Sequence, residues 1–144
     1  MKIKKAGFTL LEILVVVLII TILASIVAVK VIPRLGESKV AAAKAQMSNF
    51  DTALDLYRLD NGCYPTQEQG LEALCEKPKI PPLPVKYSDE GYLKKKMLPL
   101  DPWGHEYVYL VPGAEGEPYE IISYGSDGEP GGEKEAADIS SAKL

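Results

Sequence analysis

Asp127 and Asp138 lie in an acidic, glycine-rich segment near the C-terminal end of the chain. It reads Gly125-Ser126-Asp127-Gly128-Glu129-Pro130-Gly131-Gly132-Glu133 and runs on to Ala137-Asp138-Ile139. Carboxylates and backbone carbonyls are the donors that Ca²⁺ takes, about six to eight at a time. Glycines let the backbone turn so that such carbonyls converge. The pattern is not an EF-hand, because D-x-[DN]-x-[DN]-G is absent. On spacing alone, a solvated acidic tail is the better account.

Glu12 is a different kind of chemistry. It is a single carboxylate about one turn into a long apolar run, where an ionised group costs about 2–3 kcal/mol on insertion scales. Either it snorkels to an interface or it has a partner. Cys63 and Cys75 are the only cysteines. In an exported domain an even pair reads as a disulfide or as two free or buried thiols, and spacing does not decide between them. His105 is the only histidine. There is no zinc-ligand cluster, no phosphate-cradling glycine loop after a strand and no G-x-S-x-G. Serine or cysteine catalysis lacks a base, so no active site is read here. His105, in a turn beside Trp103, reads as a surface residue.

The elements that carry these residues follow from the pattern. Residues 8–32 are apolar except for Thr9, Glu12, Thr21, Ser25 and Lys30. As a helix the run would be about 37 Å long, enough for a hydrocarbon core of about 30 Å. Lys2, Lys4 and Lys5 precede it with no acid, which predicts a cytoplasmic N-terminus and a single pass. A cleaved secretory signal would be shorter and would end at an A-x-A-like site. A plain signal anchor explains everything except Glu12.

The whole chain has a net charge of -4, which gives no support for nucleic-acid binding. Without the three leader lysines, 13 basic residues face 20 acidic ones. The length suits one small domain behind the membrane-length segment. Pro33 and Gly36 predict a kink or a melted stretch in the helix. Beyond them Val40, Ala43, Met47, Phe50, Leu54 and Tyr57 recur at spacings of three and four, an apolar helix stripe that packs on its own domain. Lys39, Lys44, Asp51, Asp55 and Arg58 fall largely off it. Asn61-Gly62 is a stop signal.

Thr66-Gln67-Glu68-Gln69 reads as a capping box opening a short helix, with Leu71, Leu74 and Cys75 facing inward. Lys77 to Pro84 holds four prolines and reads as an extended loop. Tyr92-Leu93 reads as a short strand or a turn. Asp101-Pro102-Trp103-Gly104 is a turn with an aromatic anchor. Residues 106–111 and 117–124 alternate as strands of a hairpin, which the long helix must cover. In the last twenty residues only Ile139 offers an apolar hold. That segment is either disordered or ordered by something polar.

The opening, a basic leader followed by Gly7-Phe8-Thr9-Leu10-Leu11-Glu12, resembles the class III signal of type IV pilins and type II secretion pseudopilins. Tyr57-x-Leu59-Asp60-Asn61-Gly62-x-Tyr64-Pro65-Thr66-x-Glu68-Gln69-Gly70-Leu71, Asp101-Pro102-Trp103-Gly104 and Ser123-Tyr124-Gly125-Ser126-Asp127-Gly128 resemble the G-type major pseudopilins of type II secretion. The resemblance covers nearly the whole chain. It implies an α+β pilin-like α/β-roll in three parts: a leader (1–7), a transmembrane and filament-core helix (8–32) and a periplasmic globular domain with a short antiparallel sheet (33–144).

It also implies a prepilin peptidase that cuts between Gly7 and Phe8 and methylates the new Phe8 amine. On that resemblance the subunits would be stored in the inner membrane and assembled by a platform protein and its ATPase. The product would be a periplasmic filament built mainly of this subunit, with minor pseudopilins as partners. Glu12 would pair with the Phe8 ammonium of a neighbour. The resemblance further implies a Ca²⁺ site using the carboxylates of Asp127 and Asp138 and the carbonyls of Tyr124 and Glu129. Where some members carry a second acid before the last aspartate, this chain has Ala137. Two other readings of the residues are a surface-fibre type IV pilin and a signal-anchored periplasmic enzyme or binding protein.

Overall fold

The computed structural model describes the backbone of residues 8–144 and the side chains of 8–25 and 35–144. The expected leader, with Gly7, lies outside the described residues, as do the side chains that complete the 8–32 run. Two compact units are present, Met1–Gly36 and Glu37–Leu144.

One helix, α1, runs from Leu10 to Asn61. Its backbone stays helical through Pro33 and Gly36, so the melted stretch does not form. Proline removes one N–H from the ladder, and turns on both sides continue. Gly62 ends the helix. It adopts a left-handed φ of 79° and its amide donates to the Arg58 carbonyl at 2.7 Å, closing the last turn as a glycine does at small steric cost.

In the second unit the stripe behaves as its spacing predicts. Ala43, Met47, Phe50, Leu54 and Tyr57 are buried, joined by Ala53, and Val40 is partly buried. Burial of each large side chain contributes about 1.5–3 kcal/mol. Aromatic edges lock the packing: the Phe50 and Tyr107 rings lie 5.1 Å apart at 79°, and Tyr57 and Tyr92 lie 5.3 Å apart at 62°.

The sheet has three antiparallel strands in the order β1 (Val108–Leu110), β2 (Glu120–Ser123), β3 (Ile139–Ser140). Tyr109 sits opposite Ile121, and Ser123 opposite Ile139. Tyr109, Ile121 and Ile139 join the helix stripe in one core. β1 and β2 are the expected hairpin, but both are shorter than their alternation. Pro112 and Pro118 lack the N–H that would extend the ladder. The third strand is new. Ile139 is buried at 7% exposure, and its pairing with β2 orders the segment that had only this one apolar hold. Glu120 supports it. Its carboxylate accepts from the Ser140 hydroxyl at 2.6 Å and the Ala114 amide at 3.1 Å, and these bonds, Ser140 first, hold its pKa below the usual value.

The Thr66–Gln69 box forms as expected. The Gln69 amide donates to the Thr66 hydroxyl at 3.2 Å, and the Thr66 amide to Gln69 Oε1 at 3.0 Å. The helix behind it is only a 3₁₀ turn, Leu71–Leu74, because Gly70 takes a left-handed φ of 64° and breaks the α path. Leu71 and Leu74 are buried and Cys75 is half-buried. Gln69 Nε2 also donates to the carbonyls of Ile80 (2.9 Å) and Pro82 (2.8 Å), anchoring the proline-rich loop. Tyr92 and Leu93 form bends packed on the core, not a strand. The Lys86 ammonium, 2.8 Å from Asp60, and then the Tyr92 hydroxyl hold the Asp60 carboxyl below its ordinary pKa.

Candidate functional site

Two places gather the residues singled out in the sequence. The first is the start of α1. The Thr9 hydroxyl accepts from the Glu12 amide at 3.2 Å, and the Thr9 amide donates back to Glu12 Oε2 at 3.4 Å. Thr-x-x-Glu is thus a capping box, with Thr9 as the N-cap. The motif was present in the sequence. Thr9 three residues before Glu12 is its local signal.

Along the described part of this segment each large apolar side chain from Phe8 to Leu23 is exposed, with Phe8 at 78%. A helix apolar all round needs lipid or other helices around it. The two hydroxyls beyond Glu12 are satisfied within the helix: Thr21 donates to the Val17 carbonyl, and Ser25 to that of Ile22 at 2.7 Å. Lipid requires such internal satisfaction. Among the described residues no helix is long and apolar enough to cross a membrane. Those side chains stop at Ser25, short of the full run.

The second place is the loop between β2 and β3. Asp127 and Asp138 are both exposed on it. Asp127 Oδ1 accepts from the Glu129 amide at 3.3 Å, and both Asp138 oxygens accept from the Gly131 amide at 3.0 Å. Tyr124 is half-buried and Glu129 exposed. The Ser126 amide donates to the Glu135 carbonyl at 2.8 Å, which ties the two arms of the loop. Gly125 makes that approach feasible. It has a φ of 65°, and a Cβ there would meet the Glu135 carbonyl at 2.6 Å.

Among the described residues no three His, Cys, Asp or Glu side chains group as a metal cluster. The donor chemistry nonetheless fits a hard cation. The loop offers backbone carbonyls and the carboxylates of Asp127, Glu129, Glu133, Glu135 and Asp138, against a single lysine, Lys134, and holds no histidine or cysteine. A cation held there would take two carboxylates at most from Asp127 and Asp138 and the rest from carbonyls and water.

Beneath the loop lies a polar framework that spacing did not reveal. Asp101 is buried at 4% exposure. Its Oδ1 accepts from the amides of Trp103 (3.0 Å) and His105 (2.8 Å), and its Oδ2 from the Ser123 hydroxyl (2.7 Å). His105 is no plain surface residue. Its Nδ1 lies 3.0 Å from the Gly125 carbonyl. The turn signal Asp-Pro-Trp-Gly located this corner, but nothing local in sequence points Asp101 at Ser123.

Cys63 and Cys75 carry free thiols, Cys63 exposed and Cys75 half-buried. Of the two states left open by their spacing, the structure has the unbridged one. Cys63 follows the end of α1, whereas Cys75 caps the 3₁₀ turn. Burial, with Glu72 and Glu76 nearby, raises the Cys75 pKa, which disfavours the thiolate needed for exchange.

Comparison with known proteins covers both segments of the chain. The family model described as "Type II secretion system (T2SS), protein G" matches residues 30–142, and the "Prokaryotic N-terminal methylation motif" matches residues 2–28. The type II secretion system core protein G of Pseudomonas aeruginosa is 48% identical over 136 residues, 94% of each chain. That of Escherichia coli K12 is 47% identical over 130 residues, 90% of this chain and 88% of the relative. The crystal structure of the major pseudopilin from the type 2 secretion system of enterohaemorrhagic Escherichia coli superposes with a TM-score of 0.65 at 40% identity. It covers 75% of this chain and 90% of that one. With a pilin-like α+β fold, an N-terminal methylation motif and a matching domain in one polypeptide, the chain belongs to the protein G family of the type II secretion system.

Proposed function

We propose that the chain is the major structural subunit of the type II secretion pseudopilus, which polymerises in the periplasm to drive export of folded proteins. The observation that carries this is the union in one chain of a methylation motif over residues 2–28 and a protein G domain over 30–142. On this reading prepilin peptidase removes residues 1–7 and methylates the Phe8 amine. The apolar segment holds the subunit in the inner membrane, N-terminus cytoplasmic and domain periplasmic. The assembly platform then moves it into a filament shared with minor pseudopilins, where the lipid-facing side chains exchange lipid for the helices of other subunits. The role is structural, with no chemistry assigned to the chain itself.

Mass spectrometry of the protein purified from membranes tests the processing. The expected mature chain starts at Phe8 and is heavier by one methyl group. A mature chain that retains Met1 to Gly7 overturns the reading.

Ca²⁺ belongs to the same proposal. Asp127 and Asp138 would hold it, with carbonyls such as those of Tyr124 and Glu129, and a bound cation would neutralise and order the loop. At 100-fold excess over Kd a ligand stabilises by about 2.7 kcal/mol. For a domain of this size that raises the melting midpoint by roughly 10 °C. Melting in Ca²⁺ and in chelator measures it. Coincident curves overturn the cation site and leave the filament reading standing.

A further inference from the structure

Resting on the Ca²⁺ reading of the loop between β2 and β3, we propose that His105 is its positioning residue. His105 joins the buried Asp101 corner to the turn that carries Asp127, so the turn is set before a cation arrives.

The corner itself is rigid. The Asp101 amide donates to the His105 carbonyl at 2.8 Å, and the Gly104 amide to the Asp101 carbonyl at 3.0 Å. The His105 amide returns to Asp101 Oδ1 at 2.8 Å. Asp101 Oδ2 takes the hydroxyl of Ser123, the last residue of β2, at 2.7 Å. The imidazole therefore stands on a base fixed to the sheet.

From that base it reaches the turn at two points. Nδ1 lies 3.0 Å from the Gly125 carbonyl. A carbonyl only accepts, so Nδ1 carries the proton in this contact. The ring also lies under Gly128, where a Cβ would come within 3.0 Å of Nε2 and 3.1 Å of Cε1. Gly125 and Gly128 bracket Ser126 and Asp127, so both ends of the turn bearing the carboxylate rest on one side chain. The far side of Gly125 faces the carbonyls of Glu135 and Ala137, on the arm that leads to Asp138. One contact thus acts on both arms.

Groups behind the ligands commonly change metal affinity about 10–100-fold when removed, because they orient what binds. His105 touches loop backbone and acts through it.

The test uses the full chain in detergent, with calcium chloride titrated calorimetrically into chelator-treated protein. It compares wild type, His105→Ala and His105→Asn, whose Nδ2–H can reach the same carbonyl. His105→Ala should weaken Ca²⁺ binding about 10–100-fold, and His105→Asn should bind close to wild type. Amide hydrogen exchange in chelator supplies a second readout. Exchange at Ser126 and Gly131 should speed up in the alanine variant and stay slow in the asparagine one.

Wild-type affinity in His105→Ala overturns the proposal, whether or not the variant melts lower. So does unchanged loop exchange, or an asparagine variant as weak as alanine. A wild-type chain that takes up no Ca²⁺ overturns the cation reading itself, and this inference with it. The wild-type titration alone identifies that case.

Discussion

Glu12→Ala is expected to insert into the membrane normally and to assemble filaments at least about a hundredfold less well. Its effect on the lone helix is small. Only the return bond from the Thr9 amide is lost, at about 0.5–1.5 kcal/mol, because the Thr9 hydroxyl still accepts from the backbone amide of residue 12, and the helix has 52 residues. Membrane insertion becomes easier by about 2–3 kcal/mol, because a carboxylate leaves the apolar run. The large term lies in the proposed filament, where Glu12 would face the Phe8 ammonium of a neighbour. Removing one partner of a buried pair leaves the other uncompensated, at about 3–5 kcal/mol.

Glu12→Gln separates the two roles, since an amide oxygen can still accept from the Thr9 amide but carries no charge. If pairing is what matters, glutamine should assemble as poorly as alanine. Fractionation reports insertion, and counting sheared filaments by electron microscopy reports assembly. Normal filaments from the alanine variant would end the pairing role. Filaments restored by glutamine would reassign Glu12 to capping alone.

The largest expected loss of stability comes from Asp101→Ala, at about 3–5 kcal/mol. Three donors lose their acceptor at once: the Trp103 and His105 amides and the Ser123 hydroxyl. Ser123 is fully buried, so water cannot replace the lost partner there. A buried unsatisfied donor costs about 1–3 kcal/mol, and the two amides lie nearer solvent. Asp101→Asn keeps one oxygen for the amides and places an NH₂ against Ser123, which can accept from it. About 1 kcal/mol is expected there. Urea titration followed by tyrosine fluorescence measures both. A loss under about 1 kcal/mol for alanine would show that the corner does not depend on the carboxylate.

The parts of the fold that were legible in the sequence are those governed by local period. The stripe from Val40 to Tyr57, the stop at Gly62, the Thr66–Gln69 box and the β1–β2 hairpin all follow from neighbours in the chain. What was not legible depends on distant pairing. β3 is two residues long, and Ile139 becomes a strand only because Ser123 is there to pair with it. Asp101 reads as a turn residue, yet its second oxygen serves a strand twenty-two residues on. His105 reads as a surface residue for the same reason, since its contact is a backbone carbonyl, which no side-chain pattern encodes. The Thr9 cap is different, because Thr-x-x-Glu is a local signal that the sequence does carry. At the loop, composition identified oxygen donors, but only the fold shows what stands beneath them.

Gln69 has a consequence for how this sequence is free to drift. Proline withdraws N–H donors from the loop of residues 77–84, and Gln69 supplies the missing ones from its side-chain amide to the Ile80 and Pro82 carbonyls. Carbonyls are the same whatever residue bears them, so this grip is blind to the loop's side chains. Exposed Leu83 and Val85 are thereby released from any duty to hold the loop in place. Substitutions at those two exposed positions should therefore change the face this region presents without changing the course of the loop.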